Sequence, residues 1–430
     1  MSLVSSNFND SSQAPFRGLE GIILAGGLGT RLRDTVPDWP KCMAPVADRP
    51  FLFYVINYLR GQGIEKFIFS LGYKHEIIEE YLLTQFATLN FQCVIEEEPL
   101  GTGGAILAAC KKATEKNVLV ANGDTLFKVN IENLIALHFD READCTLALK
   151  PMTHFDRYGV VELDRTDAVY EFREKQFYES GLINGGIYIL DREKFVSEKL
   201  PGKFSFEKDY LEKLYKERKF YGLVDDGYFI DIGVPEDYNR AQEELRQPPL
   251  DLKATDSTWT LFLDRDGVIN IDKDGSYIFT PDEFIFMEGV TDLFSKLNAR
   301  FRRIIIVTNQ RGVGRGLMTE DSLQSIHYKM KDGITRTGGK IDAIYYTIAD
   351  DRLHPQRKPN PGMAFRAKAD FPDIDLSKSI IVGNNISDMK FGKNAGMYTV
   401  FLRTTTKNMQ LPHPDIDLIF DSLTDFAKAL

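Results

Sequence analysis

At 430 residues the chain is too long for one ordinary core, which predicts two or three domains. With 43% hydrophobic and 27% charged residues it is neither disordered nor fibrous, and a net charge of −10 argues against broad nucleic-acid binding. No apolar run reaches the roughly 18–20 residues of a membrane helix, so a soluble, cytoplasmic protein with no membrane partner is expected. Anionic substrates must then be held by local Lys and Arg rather than by the field of the whole molecule.

Residues 1–18 read as a flexible tail without a signal peptide. The apolar run Gly21–Ala25 enters Gly26-Gly27-Leu28-Gly29-Thr30-Arg31-Leu32. Glycines there permit positive φ and let backbone N–H groups approach phosphate oxygens. A Gly-rich turn alone is a weak signal. Arg31 and Pro40-Lys41 strengthen it, because departing pyrophosphate needs cations. No Gly-Lys-Ser/Thr follows, so this is not a Walker loop. Pro50–Gln62 and Gly104–Ala113 have helical patterns; Phe67–Leu71, Val118–Ala121, Cys145–Leu149 and Gly186–Leu190 read as strands. Cys42, Cys93, Cys110 and Cys145 lack C-x-x-C spacing and are expected to be buried, reduced thiols.

Residues 247–258 (QPPLDLKATDST) carry a Pro pair and no period, and read as a linker. A second strand, Thr260–Leu263, then enters Asp264-Arg265-Asp266-Gly267. Two carboxylates two residues apart at a strand end suit phosphoryl transfer through an aspartyl phosphate. One attacks phosphorus; the other protonates the leaving oxygen and later activates water. Further strands are expected at Ile304–Thr308, Ala343–Thr347, Ser379–Val382 and Thr399–Leu402. Thr308 and Asn309 end one of them, Arg357-Lys358 supplies cations, and Asn384 and Asp388 offer oxygens for magnesium. The gaps after Gly267 and between Thr308 and Lys358 leave no room for a cap domain. The 310–316 loop, with Arg311 and Arg315, is then the candidate for reading a sugar hydroxyl or second phosphate. Strand–helix alternation in both halves predicts an α/β protein of two Rossmann-like three-layer αβα domains, with parallel sheets and sites at strand carboxyl ends.

Taken in order, LAGGLGTRL and PKCMAPV, then EPLGTGGA from Glu98, Asn122-Gly123-Asp124, Glu174-Lys175, Asn184-Gly185-Gly186 and Asp231-Ile232-Gly233 resemble the sugar nucleotidyltransferase family. The resemblance implies a GT-A-like domain over 19–246. It makes Gly26, Gly27, Gly29, Thr30, Arg31, Lys41, Glu98, Gly101, Thr102 and Gly123 nucleotide contacts. Asp124 and Asp231 become magnesium ligands, and Lys175, Asn184, Gly185 and Lys208 meet the sugar phosphate. Gln176 replaces the Pro usual after that Glu-Lys pair. The stretches 155–159, 204–209 and 228–238 look most like the heptose-1-phosphate guanylyltransferase branch, and the expectation of GTP rests wholly on this likeness.

From Trp259 to about Arg403 the chain resembles the haloacid-dehalogenase superfamily in a capless form, which implies a phosphatase domain over 259–430. DRDGVIN, TNQRGVGRG and RKPNPGM are similar to its heptose-bisphosphate and histidinol-phosphate phosphatase branch. This implies Asp264 as nucleophile, Asp266 as acid and base, and Thr308 and Lys358 as phosphate-site groups. Asn309, Arg311, Arg315 and Arg357 become substrate contacts, and Asp264, Asp266, Asn384 and Asp388 the magnesium site. Two departures stand out. This half has no Cys, so the branch's zinc loop is not expected and His354 reads as a loop residue. Asn384 also stands where an acidic ligand is usual, which predicts weaker metal binding.

The pairing implies consecutive steps: removal of the 7-phosphate from a heptose 1,7-bisphosphate, then guanylyl transfer to the 1-phosphate. Another sugar with a histidinol-phosphate or general sugar-phosphate phosphatase, or a phosphosugar-binding second half of low turnover, remain alternatives. Sequence does not specify oligomeric state.

Overall fold

The computed structural model describes residues 19–27, 32, 36–47, 49–86, 89–273 and 275–430. The chain divides into two compact units, one ending at Gln247 and the other beginning at Pro248.

In the first unit Leu19–Ala25 is the central strand, parallel to Lys66–Leu71 on one side and Asn117–Asn122 on the other. Its near-continuous apolar run follows from burial on both faces. Alternate side chains supply two cores. Ile23, Leu119 and Ala121 pack with Phe51, Val55 and Leu59 of the helix Phe51–Gly61, whereas Ile22, Val118 and Val120 pack with Ile106, Ala109 and Cys110 of the helix Gly101–Cys110. Three layers result.

The expected all-parallel sheet needs correction here. Beyond Asn117–Asn122 the nine-stranded sheet turns antiparallel through the long strand Tyr178–Asp191, which also pairs with Cys145–Phe155 and Val160–Leu163. A parallel connection needs a crossover of about a dozen residues. The chain from Cys145 to Asp191 is instead joined by tight turns. In one, Asp164 Oδ1 accepts from the N–H groups of Thr166 and Ala168 at 2.7 and 3.1 Å.

His138, on the helix Ile131–Asp140, is buried with Nδ1 2.9 Å from Thr146 Oγ1 and Nε2 3.3 Å from Asn117 Oδ1. Burial is the main cause that lowers its pKa to about 4. An unfolded imidazole titrates near 6.5, so below that pH the unfolded chain takes a proton that the folded one refuses. This contribution to stability is complete above pH ~6.5 and falls by about 1.4 kcal/mol per pH unit towards the folded value. Urea unfolding of the first unit is therefore expected to shift to lower midpoint between pH 7 and 5, and to shift less in His138→Gln.

The second unit has six strands, all parallel, in the order Ala343–Thr347, Arg303–Asn309, Thr260–Leu263, Ser379–Gly383, Tyr398–Leu402, Leu418–Phe420. Strand order reverses direction between Thr260–Leu263 and Ser379–Gly383, which places a crevice at their carboxyl ends. Between Asn309 and Gly362 lie the helices Arg311–Gly314 and Glu320–Arg336 and the edge strand Ala343–Thr347; no cap domain interrupts the sheet among the described residues. The segment ahead of the first strand is docked on this unit. Leu252 and Thr255 are buried, and Arg300 donates to the carbonyls of Leu252 and Lys253 at 3.0 and 2.9 Å. No described helix is long and apolar enough to cross a membrane.

Candidate active sites

Two short antiparallel strands, Thr125–Phe127 and Phe229–Asp231, set the first site, because register places Asp231 opposite Thr125 and so beside Asp124. Lys41, on a 3-10 turn after Pro40, reaches between them, with Nζ 2.5 Å from Asp124 Oδ2 and 3.4 Å from Asp231 Oδ1. Burial alone would lower the Lys41 pKa, but the two carboxylates outweigh it and raise it. Asp231 Oδ1 also accepts from Gly233 N at 2.8 Å, and its Oδ2 from the Tyr158 hydroxyl at 3.4 Å.

Gly29, Thr30 and Arg31 lie outside the described residues. Gly26 and Gly27 follow the central strand, and a Cβ on Gly26 would come 2.6 Å from Glu96 Oε1. Glu96 is a residue that sequence reasoning missed. It accepts from Ser70 Oγ at 3.2 Å and, through Oε2, from Leu100 N at 3.1 Å, tying the strand Lys66–Leu71 to the start of the Gly101–Cys110 helix. Glu98, the expected contact, is exposed. Gly101 has φ +72°, and Gly103 abuts the Phe204 ring too closely for any side chain. The Thr102 hydroxyl accepts from Phe206 N at 2.9 Å, which holds the 204–206 segment against this helix. Gly123 N donates to Leu24 O at 2.9 Å, immediately before Asp124.

Asn184 donates through Nδ2 to the Tyr188 hydroxyl at 2.7 Å and to Glu207 Oε1 at 3.2 Å. Lys175 and Lys208 both lie within electrostatic reach of Glu212, along with Glu174 and Glu207. The expected sugar-phosphate residues therefore gather in one mixed-charge surface cluster. Gly185 connects it to the aspartate strands, since a Cβ there would fall 2.3 Å from the Phe127 ring.

In the second unit Asp264, Thr308 and Asn384 stand at the ends of three neighbouring strands. Lys358 is buried between carboxylates, with Nζ 2.8 Å from Asp264 Oδ1 and 2.6 Å from Asp388 Oδ1, and it donates to Val307 O at 3.0 Å. Burial first, then the Asp388 charge, raises the Asp264 pKa, with Lys358 opposing. Asn309 turns to the Lys358 backbone in a reciprocal pair, Nδ2 to Lys358 O at 3.1 Å and Lys358 N to Oδ1 at 3.0 Å. Its amide positions the lysine.

Asp266 points elsewhere. Its carboxylate accepts from Arg265 Nε at 3.1 Å and Nη2 at 2.8 Å, from Asn270 Nδ2 at 3.0 Å and from Gln310 Nε2 at 3.0 Å. Burial pushes its pKa up, but Arg265 and the other donors overcome this and hold it low. Gln310 also donates to Thr308 Oγ1 at 2.8 Å, so it links nucleophile-side and acid-side groups, a role beyond its expected place at the head of the 310–316 recognition loop. Arg311 and Arg315 converge on Asp350 at 3.8 and 2.9 Å, and Arg357 donates to Asp350 O. Burial and the Arg311 charge lower the Arg357 pKa, the mark of a crowded cationic patch. His354 accepts from Gln356 N at 3.2 Å within its own loop.

Both sites suit a hard dication. Each presents carboxylates from two elements, bridged by one lysine ammonium, and oxygen is the donor throughout. Asp388 Oδ1 is buried and lies 2.6 Å from the Lys358 ammonium. Among the described residues no three His, Cys, Asp or Glu side chains form a ready metal cluster.

Gly267 closes the D-x-D-G turn with φ +77°, and a Cβ there would fall 1.9 Å from Asn384 Nδ2. Gly267→Ala is expected to destabilise the second unit by about 1–3 kcal/mol in urea unfolding. The first unit should be unaffected.

Comparison with known proteins finds relatives for each unit. The nucleotidyl transferase family matches residues 20–248, and the polynucleotide kinase 3 phosphatase family matches 260–420. D-glycero-alpha-D-manno-heptose 1-phosphate guanylyltransferase of Aneurinibacillus thermoaerophilus is 51% identical over 228 residues, covering 53% of this chain and 99% of that protein. The enzyme of the same name from Campylobacter jejuni is 47% identical, covering 51% and 97%. D-glycero-alpha-D-manno-heptose-1,7-bisphosphate 7-phosphatase of Burkholderia mallei is 39% identical over 154 residues, covering 33% of this chain and 78% of its own length. The chain thus belongs to the nucleotidyl transferase family through its first unit and to the haloacid-dehalogenase-type phosphatases through its second.

Proposed function

We propose that the chain is a bifunctional enzyme of nucleotide-activated heptose synthesis, with residues 19–246 as guanylyltransferase and 259–430 as phosphatase. One observation carries this reading. The B. mallei relative is named for removing the 7-phosphate from a heptose 1,7-bisphosphate, and the remaining 1-phosphate is the named substrate of the two guanylyltransferase relatives. The polynucleotide name of the second family is read as shared phosphatase chemistry, since a net charge of −10 disfavours nucleic acid.

In the second unit Asp264 attacks the 7-phosphorus and forms an aspartyl phosphate while the sugar oxygen leaves with a proton from Asp266. Water activated by Asp266 then releases phosphate. Asp266 must first leave its cradle of N–H donors to carry that proton. Lys358 and Thr308 hold phosphoryl oxygens, and Arg311, Arg315 and Arg357 face the anionic remainder of the sugar. In the first unit a 1-phosphate oxygen, pinned by Lys175, attacks the α-phosphorus of GTP, and pyrophosphate departs against Arg31 and Lys41. Magnesium, held by Asp124 and Asp231 in one unit and by Asp264, Asn384 and Asp388 in the other, would supply charge neutralisation at the phosphates.

The test is a substrate comparison. With GTP, the heptose 1-phosphate is expected to release pyrophosphate at least about 10-fold faster, in kcat/KM, than mannose 1-phosphate. Replacing GTP by ATP or UTP should cost as much or more. Equal rates for the two sugars would move the assignment to a hexose.

A further inference from the structure

Asn384 replaces a charge with an amide, and an amide offers a cation only one of its two ends. Its oxygen coordinates; its NH2 group repels. What decides the outcome is whichever neighbour holds the amide. Asn384 is almost fully buried, and its Nδ2 donates to Thr405 Oγ1 at 2.5 Å. No described residue donates to its Oδ1. Thr405 lies past the end of the strand Tyr398–Leu402, remote in sequence from every other group of the site. The preceding Thr404 donates to Gly267 O at 2.6 Å, so two consecutive hydroxyls brace the Asn384 amide and the turn behind the nucleophile. Gly267 shapes the same contact, since Nδ2 occupies the space where its Cβ would be.

We propose that Thr405 is a positioning residue of the phosphatase site. It engages the amino end of Asn384 and thereby presents Oδ1 to the magnesium that Asp264 and Asp388 hold. This rests on the phosphatase reading of the second unit. The hydroxyl acts through the asparagine and touches neither substrate nor metal. An uncharged ligand held in one orientation recovers part of the affinity that a freely flipping amide would lose, as neighbours of metal ligands commonly do.

The experiment is calorimetric titration of the full chain with Mg2+ alone. The phosphatase-site component is identified as the one lost in Asp388→Asn. Thr405→Val, which keeps shape and removes the acceptor, is expected to weaken that component about 10-fold. Thr405→Ser should restore it, and the transferase component should not move. In an Asn384→Ala background, Thr405→Val should add nothing. If Thr405→Val does not fold, Thr405→Ala takes its place in the same cycle. Unchanged Mg2+ affinity in Thr405→Val, a full additive loss on top of Asn384→Ala, or no effect of Asn384→Ala itself would each overturn the proposal. Failure of the phosphatase reading has a different signature, namely no phosphate release from the bisphosphate by the unaltered enzyme.

Discussion

Asp264→Asn is expected to stop phosphate release from the heptose bisphosphate, by at least about a thousandfold, while leaving guanylyl transfer to the heptose 1-phosphate at its original rate. The size follows from chemistry. An amide cannot form the acyl phosphate, and no second carboxylate is free to replace it. Asp266 is engaged by Arg265, Asn270 and Gln310, and Asp388 is fixed by Lys358 and by Asn385 N at 3.0 Å. Selectivity follows from the division of the chain, since every predicted phosphatase group lies beyond Pro248. Colorimetric phosphate assays and a coupled pyrophosphate assay on one preparation read both activities. Retained phosphate release would remove Asp264 as nucleophile, whereas loss of both activities would mean that the substitution had disturbed more than one unit.

The mirror experiment is Asp124→Asn. Guanylyl transfer is expected to fall about 10²–10³-fold in kcat, with phosphate release unchanged. Asp124 anchors Lys41 at 2.5 Å, so its loss removes a charge from the cation site and frees the lysine expected to face the leaving pyrophosphate. Raising Mg2+ should recover part of the rate if cation affinity is the main loss. A rate unaffected by the substitution would detach this carboxylate from the reaction.

Much of this architecture can be read without coordinates, and the reasons are physical. Leu19–Ala25 and Thr260–Leu263 are central strands buried on both faces, so each stands out as an apolar run ending abruptly in Gly or Asp. Carboxyl ends of parallel strands converge, so Asp264, Thr308 and Asn384 were already candidates for one crevice. The antiparallel half of the first sheet was less legible. Tyr178–Asp191 alternates no better than a helix-flanked strand would, and only its tight turns exclude a crossover.

Residues that act through others left the weakest trace. Glu96 links Ser70 to the start of the Gly101–Cys110 helix, Gln310 bridges Thr308 and Asp266, and Thr405 holds Asn384. The Gln310–Asp266 and Thr405–Asn384 contacts join segments that only the fold brings together, so neither has a spacing of its own. Asn309 shows the converse. Its place at a strand end suggested a substrate contact, yet both ends of its amide are committed to the Lys358 backbone.

The proposed function requires two reactions in a fixed order on one chain. Phosphorus NMR of the full-length protein with Mg2+, GTP and the α-anomer of D-glycero-D-manno-heptose 1,7-bisphosphate follows both at once. Inorganic phosphate is predicted to appear first, and pyrophosphate with a GDP-sugar diester signal to follow from the 1-phosphate intermediate. Pyrophosphate without prior phosphate release, or phosphate lost from carbon 1 instead of carbon 7, would contradict it.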